Sequence, residues 1–385
     1  MTIHTYAFPT LIHFGPGARH RLPAVLAGAG SSRPLIITDE GIAKLPLLEE
    51  VQAVAASEGA EVGAFTGVAG NPLKSQVTAG VEAYRAHDAD AIIALGGGAA
   101  MDVAKAVALM VNHPGDLFDY EDGKPDARPV DQPIPYMVAL PTTAGTGSEV
   151  GRSSVIGVDE TKVKKIIFDP RMLPNVALAD PELTLTLPAA ITAATGMDAL
   201  SHNVEAYLSK GFHPMADGIA LEGIRLVASS LERCVKNGDD VEARGELMIA
   251  SLMGAVAFQK GLGVTHSLAH PLSTVCDLHH GLANGIMLPY AMAFNAEGVP
   301  AERFAAMAAA AGADSHDAAG FIAWLKALRA AIDIPDRLDE VGVTAEHLDP
   351  LVELAVTDVC HACNPIPVSA DDFRAMFSEA LGLEA

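Results

Sequence analysis

The stretch that most constrains the fold is residues 91–95, AIIAL, followed directly by Gly96-Gly97-Gly98. A short, continuous apolar run indicates a strand buried on both faces, as in a parallel sheet. Residues 99–105 form helix readily. A strand, a glycine turn and a helix start present bare backbone N–H groups and the positive helix end to a phosphate. The segment therefore predicts a βαβ unit whose turn binds phosphate or is purely structural.

The two halves of the chain differ in pattern. Up to about residue 185, short apolar runs alternate with helical patterns, which predicts an α/β domain with a parallel sheet. From about Pro188 onward the spacing is helical. We therefore predict an α/β plus all-α protein: an N-terminal Rossmann-like parallel-sheet domain over 1–185 and a C-terminal helical domain over 186–385. The predicted strands are 35–38, 91–95, 136–140, 162–168 and 176–179, and the predicted helices are 216–227, 243–258, 301–311 and 318–331.

Composition excludes several classes of function. The chain has 385 residues and a net charge of −23, which disfavours nucleic acid and anionic membranes as partners. No apolar run has the length of a transmembrane span, and we expect no signal peptide. Of the four cysteines, Cys360 and Cys363 form a C-x-x-C that could be a redox or metal pair. A zinc module would need a second such pair, so we expect ordinary thiols in a reducing cytoplasm.

Two further segments suit a nucleotide. Residues 141–149, PTTAGTGSE, follow an apolar run and offer hydroxyls and glycines to phosphate, ribose or amide groups, or form a polar turn. Asp39 ends the run 34–39. In dinucleotide folds an acid there hydrogen-bonds the ribose hydroxyls and repels a 2′-phosphate, which favours NAD over NADP. The alternative is that Asp39 caps a helix near Gly41.

A carboxylate and several imidazoles recur at helical spacing in the second half. Asp198 and His202 are four residues apart, as are His266 and His270, so each pair shares a face if its segment is helical. Thr195 is the predicted cap of the first helix, which would start at Gly196. Together these side chains offer the ligands of a divalent transition metal. Each taken singly is more simply a packed or solvated residue, whereas two clusters favour a metal.

His280 is the next histidine that such a site could use. It lies 280 − 266 = 14 residues beyond His266, roughly 21 Å along one unbroken helix. No ion bridges that distance, so the helix must end in between. Pro271 and the run 273–275 predict that end, and Gly281 would allow close approach of the next element.

Taken jointly, these segments resemble the iron-containing (group III) alcohol dehydrogenases. The resemblance extends over most of the chain and involves residues 14–17, 38–39, 71–72, 96–105, 141–149, 179–181, 195–202, 266–271, 280–281 and 283–284.

The resemblance implies roles for individual residues. Asp198, His202, His266 and His280 would bind the metal, iron(II) or alternatively zinc(II). His270 would lie near the nicotinamide and the reacting carbonyl, where it would relay the hydroxyl proton or orient the nicotinamide. It also implies a homodimer or larger homo-oligomer. The residues expected to contact NAD are Asp39, Asn71, Gly97, Gly98, Thr142, Thr143, Thr146 and Lys164.

The chain departs from the family pattern at three positions. Ala99 stands where the family usually has serine, so one bond to the pyrophosphate is lost while the backbone cradle remains. His279 replaces a frequent proline, which leaves a choice between His279 and His280; the register of Gly281 favours His280. Ile366 replaces the arginine of an Asn-Pro-Arg sequence, so any role of that arginine is absent.

The expected activity is NAD-dependent, metal-dependent hydride transfer between an alcohol and an aldehyde or ketone. Glycerol dehydrogenase-like and dehydroquinate synthase-like enzymes on the same fold are alternatives, and a catalytically silent metal- or nucleotide-binding protein is another. Arg152 could face the pocket and favour an anionic aldehyde, or it could be an exposed arginine paired with an acid.

Overall fold

The α/β part is built on a six-stranded, all-parallel sheet with the order β1-β8-β5-β4-β2-β3. The predicted strand at 91–95 is β4, and its residues are all buried. Ile92 and Ala94 pack into one hydrophobic core, and Ile93 and Leu95 pack into a second. Because alternate residues of a strand point to opposite faces, the sheet is covered on both sides. The six strands are β1 Leu11–Phe14, β2 Pro34–Asp39, β3 Gly63–Val68, β4 Ala91–Gly96, β5 Tyr136–Pro141 and β8 Val176–Ala179.

Among the described residues, four α-helices and a small hairpin complete this part. The hairpin is antiparallel and pairs β6, Ser153–Gly157, with β7, Lys164–Phe168. The helices are α1 Leu22–Gly28, α2 Pro46–Ala56, α3 Lys74–Ala86 and α4 Gly98–Met110.

The second half is helical. The helices are α5 Ala189–Leu208, α6 Pro214–Lys236, α7 Val241–Ala257, α8 Val264–Val275, α9 His280–Ala296, α10 Ala301–Ala311, α11 Ala318–Ala331, α12 Leu348–Thr357 and α13 Ala370–Ala380.

This computed structural model describes residues 6–8 and 10–383. They form two compact units. The α/β unit spans 10–143 and 148–184, and the helical unit spans 185–383 together with 144–147 and 6–8. The parallel-sheet and helical architectures confirm the predicted fold class. The predicted domain boundary at residues 185/186 stays a proposal.

The predicted start of the helix that carries Asp198 and His202 is wrong. Helix α5 begins at Ala189, directly after Pro188, and Thr195 lies inside it. The Thr195 hydroxyl donates to the carbonyl of Ile191, one turn earlier, instead of capping the helix. The reason is that alanine-rich residues 189–194 already favour helix, so the helix starts earlier than the cap signal suggests.

Helix α8 ends between His266 and His280, as predicted, but Pro271 does not end it. The helix continues through Pro271 to Val275. Leu268 and Leu272 on either side of the proline are fully buried. Their packing outweighs the backbone hydrogen bond that proline cannot make.

Among the described residues, no single helix has the length and apolar character to cross a membrane; only the bent pair Val241–Lys260 and Val264–Val275 passes that test jointly.

Candidate functional site

Three helices of the helical unit bring the four predicted metal ligands together. Asp198 and His202 lie one turn apart on α5, His266 lies on α8, and His280 is the first residue of α9. The Nε2 atoms of His202 and His266 are each 3.9 Å from Oδ1 of Asp198, and Nε2 of His280 is 3.4 Å from the same oxygen. Three imidazoles thus surround one carboxylate oxygen.

This donor set fits a divalent transition metal. Ligand atoms of Asp198, His202 and His266 lie within 4.8 Å of one another, and all three residues are buried. Two ligands bound tetrahedrally at the usual 2.0–2.2 Å are roughly 3.3–3.6 Å apart. The distance from Oδ1 of Asp198 to Nε2 of His280 falls in that range. The distances from the same oxygen to His202 and His266 would need to shorten by only a few tenths of an ångström. Three nitrogens and one oxygen suit Fe(II) or Zn(II).

A backbone carbonyl orients His202. Its Nδ1 lies 3.3 Å from the carbonyl oxygen of Gly145, which leaves the Nε2 lone pair directed at Asp198. Burial lowers the pKa of His202 to about 4, although Asp198 opposes this effect. His202 is therefore a neutral imidazole at ordinary pH, the form that binds a metal.

Glu205 orients His266 and was not predicted from the sequence. Its Oε2 accepts a hydrogen bond from Nδ1 of His266 at 2.6 Å, and its carboxylate also accepts the backbone N–H groups of Gly263 and Thr265 at the start of α8. Burial disfavours charge on both partners, but their contact raises the pKa of His266 and lowers that of Glu205. The spacing 198, 202, 205 places all three on one helical face, which could have revealed Glu205.

Two residues of α9, Gly281 and Asn284, determine how closely this helix packs on α5 and which hydrogen bonds form around Asp198. A Cβ at Gly281 would lie 2.2 Å from the carbonyl oxygen of Ala194 on α5, so only glycine permits this approach. The amide nitrogen of Asn284 donates to Oδ1 of Asp198 at 2.8 Å and lies 3.2 Å from Nε2 of His280. A donor amide therefore points at the place where the ligand atoms converge.

His270 lies beside this donor set and outside it. Its ring stacks on that of His280 with centroids 5.2 Å apart, and its Nδ1 is 2.7 Å from Oδ2 of Asp358. Burial opposes ionisation of Asp358, yet the hydrogen bonds from His270, from a serine hydroxyl and from a backbone N–H hold the pKa of this carboxyl well below its usual range. His279 is exposed at the N-cap of α9, so His280 is the member of the pair that faces Asp198.

In the α/β unit, the glycine turn follows the carboxyl end of β4. Gly96 has φ of +143°, a conformation that favours glycine, and a Cβ there would lie 2.7 Å from that of Ala100. A Cβ at Gly97 would meet the Thr143 side chain at 3.2 Å. The N–H of Thr142, after β5, donates to the carbonyl of Gly96 at 3.0 Å. The two loops predicted to bind phosphate are therefore in contact, and Gly98 starts α4.

Asp39 has a capping role and also faces the turn. Its Oδ1 accepts the N–H groups of Gly41 and Ile42 at 2.8 and 2.9 Å, which is the capping alternative. Its Oδ2 lies beside Gly96, 3.0 Å from where a Cβ would stand.

The other predicted cofactor residues occupy different positions. Asn71 lies in the turn between β3 and α3, and Lys164 starts β7, paired with Gly157. The N–H of Gly157 donates to the carbonyl of Pro72, so Asn71 and Lys164 belong to adjoining segments. Thr146 belongs to the short segment 144–147 that groups with the helical unit.

A buried polar cluster anchors the second loop. The Lys105 ammonium donates to the hydroxyl and the carbonyl of Ser148, and Ser148 donates to Asp102 at 2.7 Å. Burial lowers the pKa of Lys105, and Asp102 partly offsets this. Burial raises the pKa of Glu149 to about 7, and its Oε1 has no hydrogen-bond partner among the described residues. The residues in contact here are 43 and 46 positions apart, so their spacing along the chain did not reveal the cluster.

The structure shows the surroundings of the cysteines, of Arg152 and of Ile366. All four cysteines are free thiols, and burial raises the pKa of Cys360 well above its usual value. The Arg152 guanidinium lies over the Phe168 ring, 5.8 Å from its centroid. Ile366 packs against Gly298, so the position of the missing arginine is filled by an apolar contact.

Comparison with known proteins decides the family. The profile of iron-containing alcohol dehydrogenases matches residues 9–181, and that of the C-terminal part of the Fe-containing alcohol dehydrogenase family matches 192–381. The 4-hydroxybutyrate dehydrogenase of Cupriavidus necator is 38% identical over 97% of this chain and 98% of its own length. The chain belongs to the iron-containing alcohol dehydrogenase family. The predicted family and the predicted enzyme class, an alcohol dehydrogenase, are confirmed.

Solved structures agree over the whole length. A 1,3-propanediol oxidoreductase superimposes with a TM-score of 0.94 at 35% identity, covering 99% of this chain and 100% of that one. A sulfoacetaldehyde reductase from Bifidobacterium kashiwanohense, solved with NAD+, superimposes with a TM-score of 0.90 at 29% identity and covers both chains fully.

Proposed function

We propose that this chain is a cytoplasmic NAD-dependent alcohol dehydrogenase that binds Fe(II) through Asp198, His202, His266 and His280. The observation that carries the proposal is the convergence of three imidazoles on Oδ1 of Asp198. Zn(II) suits the same donors and is the alternative metal. The family resemblance further supports a homodimer or larger homo-oligomer, which light scattering would measure.

The chemistry divides between the bound groups and the chain's own residues. When bound, the metal supplies a Lewis acid for the substrate oxygen, and the nicotinamide supplies the hydride acceptor or donor. Gly145 and Glu205 orient two of the ligand rings. His270 lies beside the ligands with its side chain 30% exposed, so we assign it the transfer of the hydroxyl proton.

We assign the cofactor to the loops of the α/β sequence that carry the predicted contacts. The turn over Gly97 and Gly98 would hold the pyrophosphate through backbone N–H groups and the start of α4. Thr142, Thr143 and Thr146 would supply hydroxyls. Asp39 would accept hydrogen bonds from the ribose and repel a 2′-phosphate, so NAD is preferred over NADP. The remaining proposed contacts are Asn71 and Lys164.

For the substrate we propose short primary alcohols, or the corresponding aldehydes, with a second polar group at the far end. The names of three similar proteins support this: 4-hydroxybutyrate dehydrogenase, 1,3-propanediol oxidoreductase and sulfoacetaldehyde reductase. Arg152 is the residue that we predict to favour an anionic aldehyde, so Arg152→Ala should weaken activity on acidic aldehydes more than on neutral ones. Arg171→Ala is the matched control, because Arg171 is an exposed arginine in the same unit that pairs with Asp169.

The test is NADH oxidation by apo-protein reconstituted anaerobically with Fe(II) or Zn(II), against neutral and acidic short aldehydes. We expect metal-dependent turnover and identify the working metal from its rate. His266→Ala should abolish turnover while NADH still binds, measured by nucleotide fluorescence. Normal activity of that variant would overturn the metal assignment. Tight NAD binding without turnover on either metal would favour the dehydroquinate synthase-like or silent alternatives.

A further inference from the structure

His270 is held from one side by a carboxylate at the end of another helix. Asp358 follows α12 as its C-cap, and its Oδ2 accepts the hydrogen bond from Nδ1 of His270 at 2.7 Å. The two side chains are 15% and 30% exposed, respectively. Residues 88 positions apart thus form an Asp–His pair next to the proposed metal centre.

The carboxylate of Asp358 is itself fixed. Its Oδ1 accepts the hydroxyl of Ser267 at 2.7 Å and the backbone N–H of Cys360 at 2.9 Å. The His270 ring is also stacked on His280, with an angle of 16° between the planes. Asp358 therefore cannot turn away from His270 without breaking two other hydrogen bonds, and the ring has little freedom to rotate.

An acceptor at Nδ1 determines which nitrogen of His270 can react. Because an ionised carboxylate only accepts hydrogen bonds, the neutral imidazole carries its hydrogen on Nδ1 and its lone pair on Nε2. A substrate hydroxyl can then pass its proton to Nε2. The Nδ1–H bond stays in place, and the imidazolium that forms is stabilised by the carboxylate 2.7 Å away.

We propose that Asp358 is the positioning residue of His270, fixing its tautomer and ring orientation for proton transfer at Nε2. This proposal rests on the proposed function of His270.

The first test compares Asp358→Asn with wild type as iron-loaded enzymes. We expect kcat for alcohol oxidation to fall about 10–100-fold, part of what a general base contributes, with KM within about twofold. Iron content and NADH binding should be unchanged, and Asp358→Glu should recover part of the rate. The matched control is Asp349→Asn, because Asp349 is an exposed acid on the same helix that pairs with Arg374. An unchanged kcat, or loss of iron in Asp358→Asn, would overturn the proposal.

A double-variant cycle with His270→Ala asks whether Asp358 acts through His270. If it does, Asp358→Asn has no further effect on kcat in the His270→Ala background; multiplied losses would overturn the proposal. The histidine tautomer is measured independently of activity, by 15N NMR of the zinc-loaded protein. Wild type should show His270 protonated at Nδ1, and Asp358→Asn should show a mixture. An enzyme that is inactive but keeps this tautomer would refute the proposed function and not the pairing, whereas Nε2-protonated His270 in wild type would refute the pairing.

Discussion

Glu205 has two roles at the proposed metal centre: it holds the start of α8 and it orients the His266 ring. It accepts N–H groups from the first turn of α8 and from the His266 ring, and it is completely buried. Partners that orient a ligand histidine typically contribute 10–100-fold to metal affinity. We therefore predict that Glu205→Gln weakens metal binding by roughly that factor, measured by competition with a chromophoric chelator. Glu222→Gln on α6, which removes an exposed ion pair, should leave affinity unchanged. If Glu205→Gln and Glu222→Gln bound the metal with equal affinity, the proposed role of Glu205 would be contradicted.

The raised pKa of Glu149 predicts that the stability of the protein depends on pH. Its folded pKa of about 7 lies above the ordinary 4.5 because it is buried. The folded state therefore holds the Glu149 proton more tightly than the unfolded state does. The resulting contribution to the free energy of unfolding is complete below pH 4.5 and is lost as the pH rises through 7. Glu149→Gln should be more stable than wild type at pH 8, by up to about 3 kcal/mol, and nearly equal at pH 4.5. Thermal unfolding at the two pH values, with the exposed Glu160→Gln as control, measures the difference. A variant destabilised equally at both pH values would contradict it.

Site residues could be predicted from the sequence where they lie close to their contact partners along the chain. Asp198 and His202 are one helical turn apart, so their convergence follows from helix geometry alone. Glu205 and His266 are 61 positions apart, and Asp358 and His270 are 88 apart. Such contacts depend on how separate helices pack, which residue spacing does not encode.

At the scale of elements, Gly281 determines how closely α9 approaches α5. A Cβ there would lie 2.2 Å from the backbone oxygen of Ala194, and backbone cannot yield as a flexible side chain can. Gly281→Ala should therefore displace the start of α9 and His280 with it, lowering both metal content and the unfolding temperature. The control is Gly218→Ala in α6, where a Cβ meets nothing within 4 Å. That change should stabilise the protein by about 0.5–1 kcal/mol. Full metal occupancy in Gly281→Ala would refute this account.

Element types could be predicted more reliably than element ends. The apolar runs that became β2, β4, β5 and β8 are strongly patterned, and each forms a parallel strand. Thr195 and Pro271 carry the usual signals of a helix start and a helix end, yet both lie inside helices. In each case burial of the surrounding helix outweighs a local preference worth only a few kcal/mol.

For the whole molecule, the change from strand to helix patterns near residue 185 predicted the two architectures. It could not predict that residues 144–147 group with the helical unit, since they lie in the middle of the α/β sequence. A short loop contributes too few residues to carry a pattern of its own. The position of such a segment follows from its tertiary contacts, as when Gly147 approaches Ser251 and Ala255.

The positions of the proposed ligands predict which elements should become less stable when the metal is removed. All four proposed ligands lie on α5, α8 and α9, and none lies in the sheet. A metal that binds only the folded state stabilises it by about 4 kcal/mol at a thousandfold excess over Kd. Without it, the imidazoles and the buried Asp198 carboxylate lose their shared partner, so these helices should open more often. Hydrogen exchange followed by mass spectrometry should therefore show faster exchange in α5, α8 and α9 of the chelated protein, and unchanged exchange in β4 and β5. Readdition of Fe(II) should restore the protection, and uniform loss across both units would mean that the metal stabilises the chain elsewhere.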